Sequence, residues 1–318
     1  MTVVRLVVGR VLVSFVTVLL VSLLIFAFVE ILPGDVATRI LGRDATPETL
    51  AVLRERLHLN DPAPLRYVRW LGGIVTGDLG TALTSARPIE DILGPRIFNT
   101  LMLSAFAFLV YIPLSLVPAA LQALNRDKPL DHALSVVTLV LVSMPEFLLA
   151  TLLLVVFVAF AGLFPAMSLV DETTSFWDFL RAITLPGVTL ALVMAAYAAR
   201  MLRDNLIEVL DADFIRMAEL RGLSRRRVLV RHALPNALVP TLNVTALNLA
   251  YLVGGVVIVE RVFAFPGFGS LLVDALQLRD APLIEATVLI TALVYIGANL
   301  VADVGAIVLN PRLRSSAP

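Results

Sequence analysis

The chain has 318 residues, 59% of them apolar and only 16% charged, and its 25 basic and 25 acidic residues cancel. A soluble domain carries about 45–50% apolar and about 25% charged residues, so this composition excludes an ordinary soluble fold and makes the bilayer the solvent to reason with. A net charge of zero gives no footing for nucleic acid, and the absence of cysteine excludes disulfides, thiolate metal sites and cysteine nucleophiles.

A membrane-spanning helix needs about 20 mostly apolar residues. The first such run, 11–31, is uncharged up to Glu30. It is longer than the 7–15-residue core of a signal peptide and no A-x-A-like site follows it, so it reads as a retained span. A long polar stretch, 33–96, comes next. Thr46-Pro47-Glu48 is a helix-start signal, with Thr46 as cap and Pro47 at the first helical position, and Leu50, Leu53, Leu57 and Leu59 follow at near-helical spacing. Tyr67 and Trp70 suit an interfacial anchor.

The second run, 97–125, holds no charge, and the third, 132–170, is broken only by Glu146. At 1.5 Å per residue the third would reach roughly 58 Å, against a hydrocarbon core of about 30 Å. A kink at Ser143-Met144-Pro145 and a stop at Gly162-Leu163-Phe164-Pro165 are therefore expected. Runs four and five, 182–199 and 233–259, are uncharged, and the sixth, 286–309, is interrupted only by Asp303. Between the last two, Phe265-Pro266-Gly267-Phe268-Gly269 predicts a tight turn leading into a short amphipathic helix. This stretch and 33–96 read as an ordered extracytoplasmic cap, with contact to a substrate or receptor as the alternative.

Orientation follows from Lys and Arg in the short loops. With the N-terminus inside, the cytoplasmic parts hold Arg5, Arg10, Arg126, Lys128, eight arginines between Arg200 and Arg231, Arg312 and Arg314. The two short outer loops hold only Arg181, Arg261 and Arg279, and the long outer loop counts little. The sequence thus predicts an all-α integral membrane protein with six transmembrane helices and both termini cytoplasmic.

The cytoplasmic stretch from Asp213 to Pro235 reads DFIRMAELRGLSRRRVLVRHALP. Asp211 or Asp213 is placed to cap a short helix ending at Arg221. Gly222 falls where a left-handed residue closes a helix. Ser224 is placed to cap a second short helix that carries Arg225, Arg226, Arg227 and Arg231 near the membrane, and Pro235 starts the next span. Phe214, Met217, Ala218 and Leu220 leave apolar side chains for a groove on a partner. The alternative is a basic interfacial loop that only obeys the positive-inside rule.

Several chemistries lack their residues. The single lysine, Lys128, lies between Asp127 and Pro129, so no phosphate-binding Walker loop exists. His58, His132 and His232 are far apart in the sequence, and neither an H-E-x-x-H helix nor a G-x-S-x-G elbow is present. No catalytic residue, cofactor or metal is expected. Intramembrane charges mark function by default. Glu146 reads either as a pathway charge or as a carboxylate at the headgroup level. Asp303 reads either as a pathway charge or as the partner of an arginine or a helix end.

The spacing of the cytoplasmic loop resembles the EAA motif of binding-protein-dependent ABC importer permeases: EAA, three residues, Gly, nine residues, then I-x-L-P. Ala218, Gly222, Leu234 and Pro235 match, while Arg216, Met217 and His232 depart from Glu, Ala and Ile. These departures are similar to the dipeptide/oligopeptide/nickel branch. So are Leu32-Pro33-Gly34-Asp35, Arg66-Tyr67 with Trp70-Leu71-Gly72-Gly73, Gly77-Asp78-Leu79-Gly80, Ser143-Met144-Pro145, the Phe265–Gly269 segment, Arg279-Asp280-Ala281-Pro282, and Asn310-Pro311-Arg312, where the branch more often has Asp first. The long loop after the first span looks like the B-type subunit.

The resemblance implies a type I ABC importer permease fold in a bacterial or archaeal inner membrane. Residues 1–98 would form the first span and outer loop, 99–310 the core with the EAA loop at 204–235, and 311–318 a cytoplasmic tail. It further implies a heterodimer with a second permease subunit, two cytoplasmic ATPase subunits that hydrolyse ATP for the complex, and an extracytoplasmic substrate-binding protein. ATPase coupling would fall to Phe214, Arg216, Met217, Ala218, Glu219, Arg221, Gly222 and Pro235. Di- or oligopeptides are the expected cargo, with a nickel chelator, an opine, glutathione or an oligosaccharide as alternatives on the same fold. A solitary secondary transporter is the distant alternative and would need Glu146 or Asp303.

Overall fold

The computed structural model describes residues 2–31, 38, 41, 45–56, 60–171, 173–254 and 256–309, with side chains except at 2–6, 56, 242–243, 246–247, 249–251, 253–254, 298 and 301–309. Apart from one isolated bridge between Thr81 and Pro88, the regular structure of the described residues is helical. Among the described residues, three helices are long and apolar enough to cross a membrane, covering Val7–Ile31, Ile89–Leu124 and Phe176–Leu210, or four if a bent pair counts as one span. The Leu32–Asp35 and Asn310–Arg312 motifs, and Leu57, His58 and Leu59, lie outside the described residues.

The chain divides into two compact units, residues 1–97 with 271–318, and residues 98–270. In the first unit, helix α1 (Thr2–Ile31) packs along helix α13 (Ala281–Leu309), which follows the short helix α12 (Phe268–Leu278) in the chain. Two short helices follow α1: α2 (Pro47–Arg56), which begins at the expected Pro47, and α3 (Ala63–Thr76). Tyr67 and Trp70 of α3 close a ring cluster with Phe26 of α1, with centroids 5.4–6.2 Å apart. The Tyr67 hydroxyl lies 2.9 Å from Ser22 Oγ, and Arg66 pairs with Glu30. The loop at 81–88 is held to Asp280, whose carboxylate accepts from the Thr84 N–H and hydroxyl at 2.9 and 2.8 Å.

The second unit is built on α7 (Phe176–Leu210), which carries Pro186 and a run of small residues and is buried along much of its length. Gly187 is one reason for the close packing, since a Cβ there would lie 2.3 Å from the Phe106 ring of α4 (Ile89–Leu124). The third apolar run is a break rather than the expected kink. Helix α5 (Pro129–Ser143) and helix α6 (Glu146–Leu154), which continues in π register to Phe160, are bent by 110°. Pro145 disfavours helix at Met144, which is extended at φ −89°, ψ 129°. Gly162, at φ +62°, lies just beyond that helical stretch, where the stop was expected. Glu146 is the first residue of α6, where the unpaired N–H groups of a helix start favour a carboxylate.

Two buried carboxylates pin this unit. Asp131 of α5 is 1% exposed and takes a two-pronged pair from Arg203 of α7, Nε to Oδ1 at 2.7 Å and Nη2 to Oδ2 at 2.6 Å, with the Asp127 N–H adding a third donor. Glu260, in α11 (Val256–Val262), is wholly buried. Its carboxylate accepts from the Thr100 hydroxyl and, at 2.8 Å, from the Ser270 N–H. The Phe265–Gly269 turn wraps this carboxylate so closely that a Cβ on Gly267 would lie 1.9 Å from Glu260 Oε1.

Removing one member of a buried charge pair leaves the other uncompensated, so Asp131→Ala should lower stability by about 2–3 kcal/mol. Asp131→Ala/Arg203→Ala together should recover part of that loss in thermal unfolding of the purified chain. Gly267→Ala should overpack the turn and cost about 1–3 kcal/mol in the same assay.

Candidate functional site

The cytoplasmic-loop expectation can be followed residue by residue within the second unit. Helix α8 (Asp213–Leu220) has eight residues. Its N-cap is Ala212 and no side chain caps it, so the expected Asp cap is replaced. Asp213 sits in the first turn, and Asp211 instead pairs with Arg126 at 2.9 Å.

The C-terminal end follows the expectation closely. Gly222 adopts φ +78°. Its N–H reaches the Glu219 carbonyl at 2.8 Å, and the Leu223 N–H reaches the Ala218 carbonyl at 3.3 Å. These two bonds form the Schellman closure, and Leu223 packs on the apolar cluster that contains Ala218, the contact that usually accompanies it.

The two faces of α8 differ. Ile215 is 1% and Ala218 8% exposed; both join a cluster with Ala119 and Ala123 of α4, Leu202 and Leu206 of α7, and Ala237 of α10 (Leu234–Gly254). Phe214, Met217 and Leu220 are 48%, 53% and 83% exposed on the other side. The expectation that Ala218 offers its side chain to a partner is corrected: its methyl is part of the base on which the helix stands. Ile215 was missed in the sequence, although its spacing to Ala218 marks the helix's inward stripe. Arg216, Glu219 and Arg221 are exposed beside the outward residues.

The second short helix is corrected too. Helix α9 (Arg225–Val228) is not separated from the next span but runs through a π segment, Leu229–Ala233, into α10. Pro235 explains the register. It lacks an N–H and its ring crowds the carbonyl four residues back, so the ladder widens just before it, with Leu234 N–H reaching Leu229 O. Ser224 holds the N-cap position of α9 without a side-chain bond. Arg225, Arg226, Arg227 and Arg231 are all exposed.

Glu146 stands on α6, and Asp303 lies on α13 with its side chain outside the described residues. Among the described residues no group of three or more His, Cys, Asp or Glu is placed to hold a metal ion. Helix α8 is a short helix packed on the ends of three long helices, with an apolar face turned outward, in a helical chain of the membrane-protein class.

The comparisons agree with that class. Residues 111–315 match the family described as "Binding-protein-dependent transport system inner membrane component", and residues 3–88 match the N-terminal membrane component of the same systems. A putative peptide transport system permease protein of Brucella abortus (strain 2308) is 36% identical over 93% of this chain and 94% of its own length. One of Brucella suis biovar 1 is 35% identical over 93% and 94%. A glutathione transport system permease protein of Salmonella paratyphi A is 33% identical over 94% and 95%. The chain therefore belongs to the binding-protein-dependent transport inner-membrane family and is a multi-pass permease subunit of an ABC import system.

A Cβ on Gly222 would meet nothing within 4 Å, so only the backbone angle resists substitution. Gly222→Val should block transport while leaving membrane insertion intact, because a β-branched residue resists positive φ. Gly222→Asn, which tolerates that region, should retain most uptake in a radiolabelled-substrate assay.

Proposed function

We propose that this chain is one of two permease subunits in an ATP-driven importer of di- or oligopeptides, and that α8 is its coupling helix. Six spans would come from α1, α4, the bent pair α5–α6, α7, α10 and α13, with both termini cytoplasmic. Residues 1–98 form the first span and outer loop, 99–310 the core, and 311–318 the tail. The partners are a second permease of similar fold, two cytoplasmic ATPases and an extracytoplasmic binding protein, all in a bacterial or archaeal inner membrane.

The observation that carries this reading is the one-sided burial of α8. A helix driven by an ATPase must grip it on one face and be fixed to the spans on the other. Phe214, Met217 and Leu220 supply the gripping face, flanked by Arg216, Glu219 and Arg221, while Ile215 and Ala218 supply the fixed one. Closure of the ATPases then moves α8 together with α4, α7 and α10 and switches access across the membrane, with Gly222 and Pro235 setting the turn and the re-entry into the span. Peptide cargo is supported by the names of the Brucella relatives. The glutathione permease supports a second reading within the same chemistry, a short peptide such as a tripeptide. Glu146 and Asp303 serve as structural charges at helix ends in this reading.

Met217→Asp should abolish co-purification of Walker-motif ATPases with the tagged chain and lower peptide uptake at least tenfold, with thermal stability unchanged. Ile215→Asp should lower stability as well, because it puts a charge into the cluster. Recovery of the chain without any ATPase from native membranes would overturn the proposal.

A further inference from the structure

A groove of about 280 Å³ lies between α5 and α7 in the second unit, and none of its walls belongs to α8. From α5 come His132 and Ser135, then Val136 and Leu139; from α7 come Arg200, Arg203 and Asp204. Arg203 and Ser135 are committed. Arg203 closes on the buried Asp131 with two nitrogens and reaches Asp204 Oδ1 with the third at 2.9 Å. Ser135 Oγ accepts from the buried Gln122 amide at 3.0 Å. Arg200 and Asp204 are left with capacity. Among the described residues Arg200 is exposed and has no hydrogen-bond or ion-pair partner. Asp204, one turn on along α7, has a side chain 71% exposed and its Oδ2 open.

Arg200 closes the uncharged run 182–199, which at 1.5 Å per residue covers roughly 27 Å, close to a hydrocarbon thickness of about 30 Å. Its guanidinium therefore falls at headgroup depth, where arginine meets phosphate. Val136 and Leu139 are 59% and 51% exposed on the same groove, so a charged end passes into an apolar wall. That combination suits a lipid better than an ion or a solute. Charge then selects the headgroup. Arg200 and Arg203 balance Asp131 and Asp204, so the groove favours an occupant without net charge. An anionic lipid would set its phosphate against Asp204 with nothing to offer that carboxylate. A choline headgroup is neutral too, but its nitrogen has no N–H to donate.

We propose that this groove seats a phosphatidylethanolamine molecule, with its phosphate on Arg200 and the His132 imidazole, its ammonium on Asp204, and an acyl chain along Val136 and Leu139. The lipid bridges α5 and α7 beside the Asp131–Arg203 pair, so headgroup and buried ion pair fasten the same two helices.

The full-length chain, purified with whatever subunits accompany it and stripped of lipid, is titrated with phosphatidylethanolamine, phosphatidylcholine and phosphatidylglycerol of matched chains. Native mass spectrometry counts the bound molecules. The first phosphatidylethanolamine should bind about tenfold tighter than either of the others, as one further charge-assisted hydrogen bond requires. Arg200→Ala should weaken that binding about tenfold or more. Asp204→Ala should erase the preference over phosphatidylcholine. Arg200→Gln takes the place of Arg200→Ala if that variant does not fold. Glycerophosphoethanolamine, the same headgroup without chains, should compete only weakly. Competition equal to that of the lipid makes this a solute site and overturns the proposal. So does equal binding of the three lipids, a preference for phosphatidylglycerol, or an unchanged preference in the variants. The readout is the same with or without bound ATPases, so its failure is separate from failure of the coupling role.

Discussion

An eight-residue helix is too short to persist alone in water, because nucleation costs more than so few hydrogen bonds return. Helix Asp213–Leu220 persists because Ile215 and Ala218 are buried among the ends of three long helices and because Gly222 and Leu223 close its last turn. The same contacts make it part of the bundle rather than an appendage. Its rigidity, its orientation and the exposure of Phe214, Met217 and Leu220 all depend on that one burial.

The spans around it obey a single rule, that backbone polar groups away from water need partners. Where proline interrupts the ladder, the chain has found two different solutions. Before Pro145 the helix stops, Met144 extends and a new helix starts with Glu146 at its N-terminus. Before Pro235 the helix widens to π register and continues. The first solution produces a sharp corner and the second a continuous helical path from the arginine-rich segment into α10.

Buried charge serves here to hold elements together. Asp131 joins α5 to α7 through Arg203, and Glu260 organises the Phe265–Gly269 turn against Thr100. Each carboxylate is given several donors, which is the condition under which a buried charge can be kept.

The apolar runs, the left-handed Gly222 and the stop near Gly162 were legible in the sequence, because length, hydropathy and glycine chemistry are local properties. So was the family, since the order and spacing of the loop motifs survive in one dimension. The break at Met144 was only half legible: proline announces a disturbance, but its size depends on what each half packs against. Burial of Ala218 was not legible, nor was the continuity of α9 with α10, because whether a side chain faces a partner or the bundle is settled by neighbours distant in the chain. The roles of Asp131 and Glu260 were hidden for the same reason, as a charge near the end of an apolar run looks alike whether it meets water or a buried donor. What the sequence determined by itself is therefore the class of protein and the place of the left-handed turn that closes the short helix of its arginine-rich loop. Only the tertiary structure decided which face of that loop is anchored and which is offered, since that choice is made by long-range contacts.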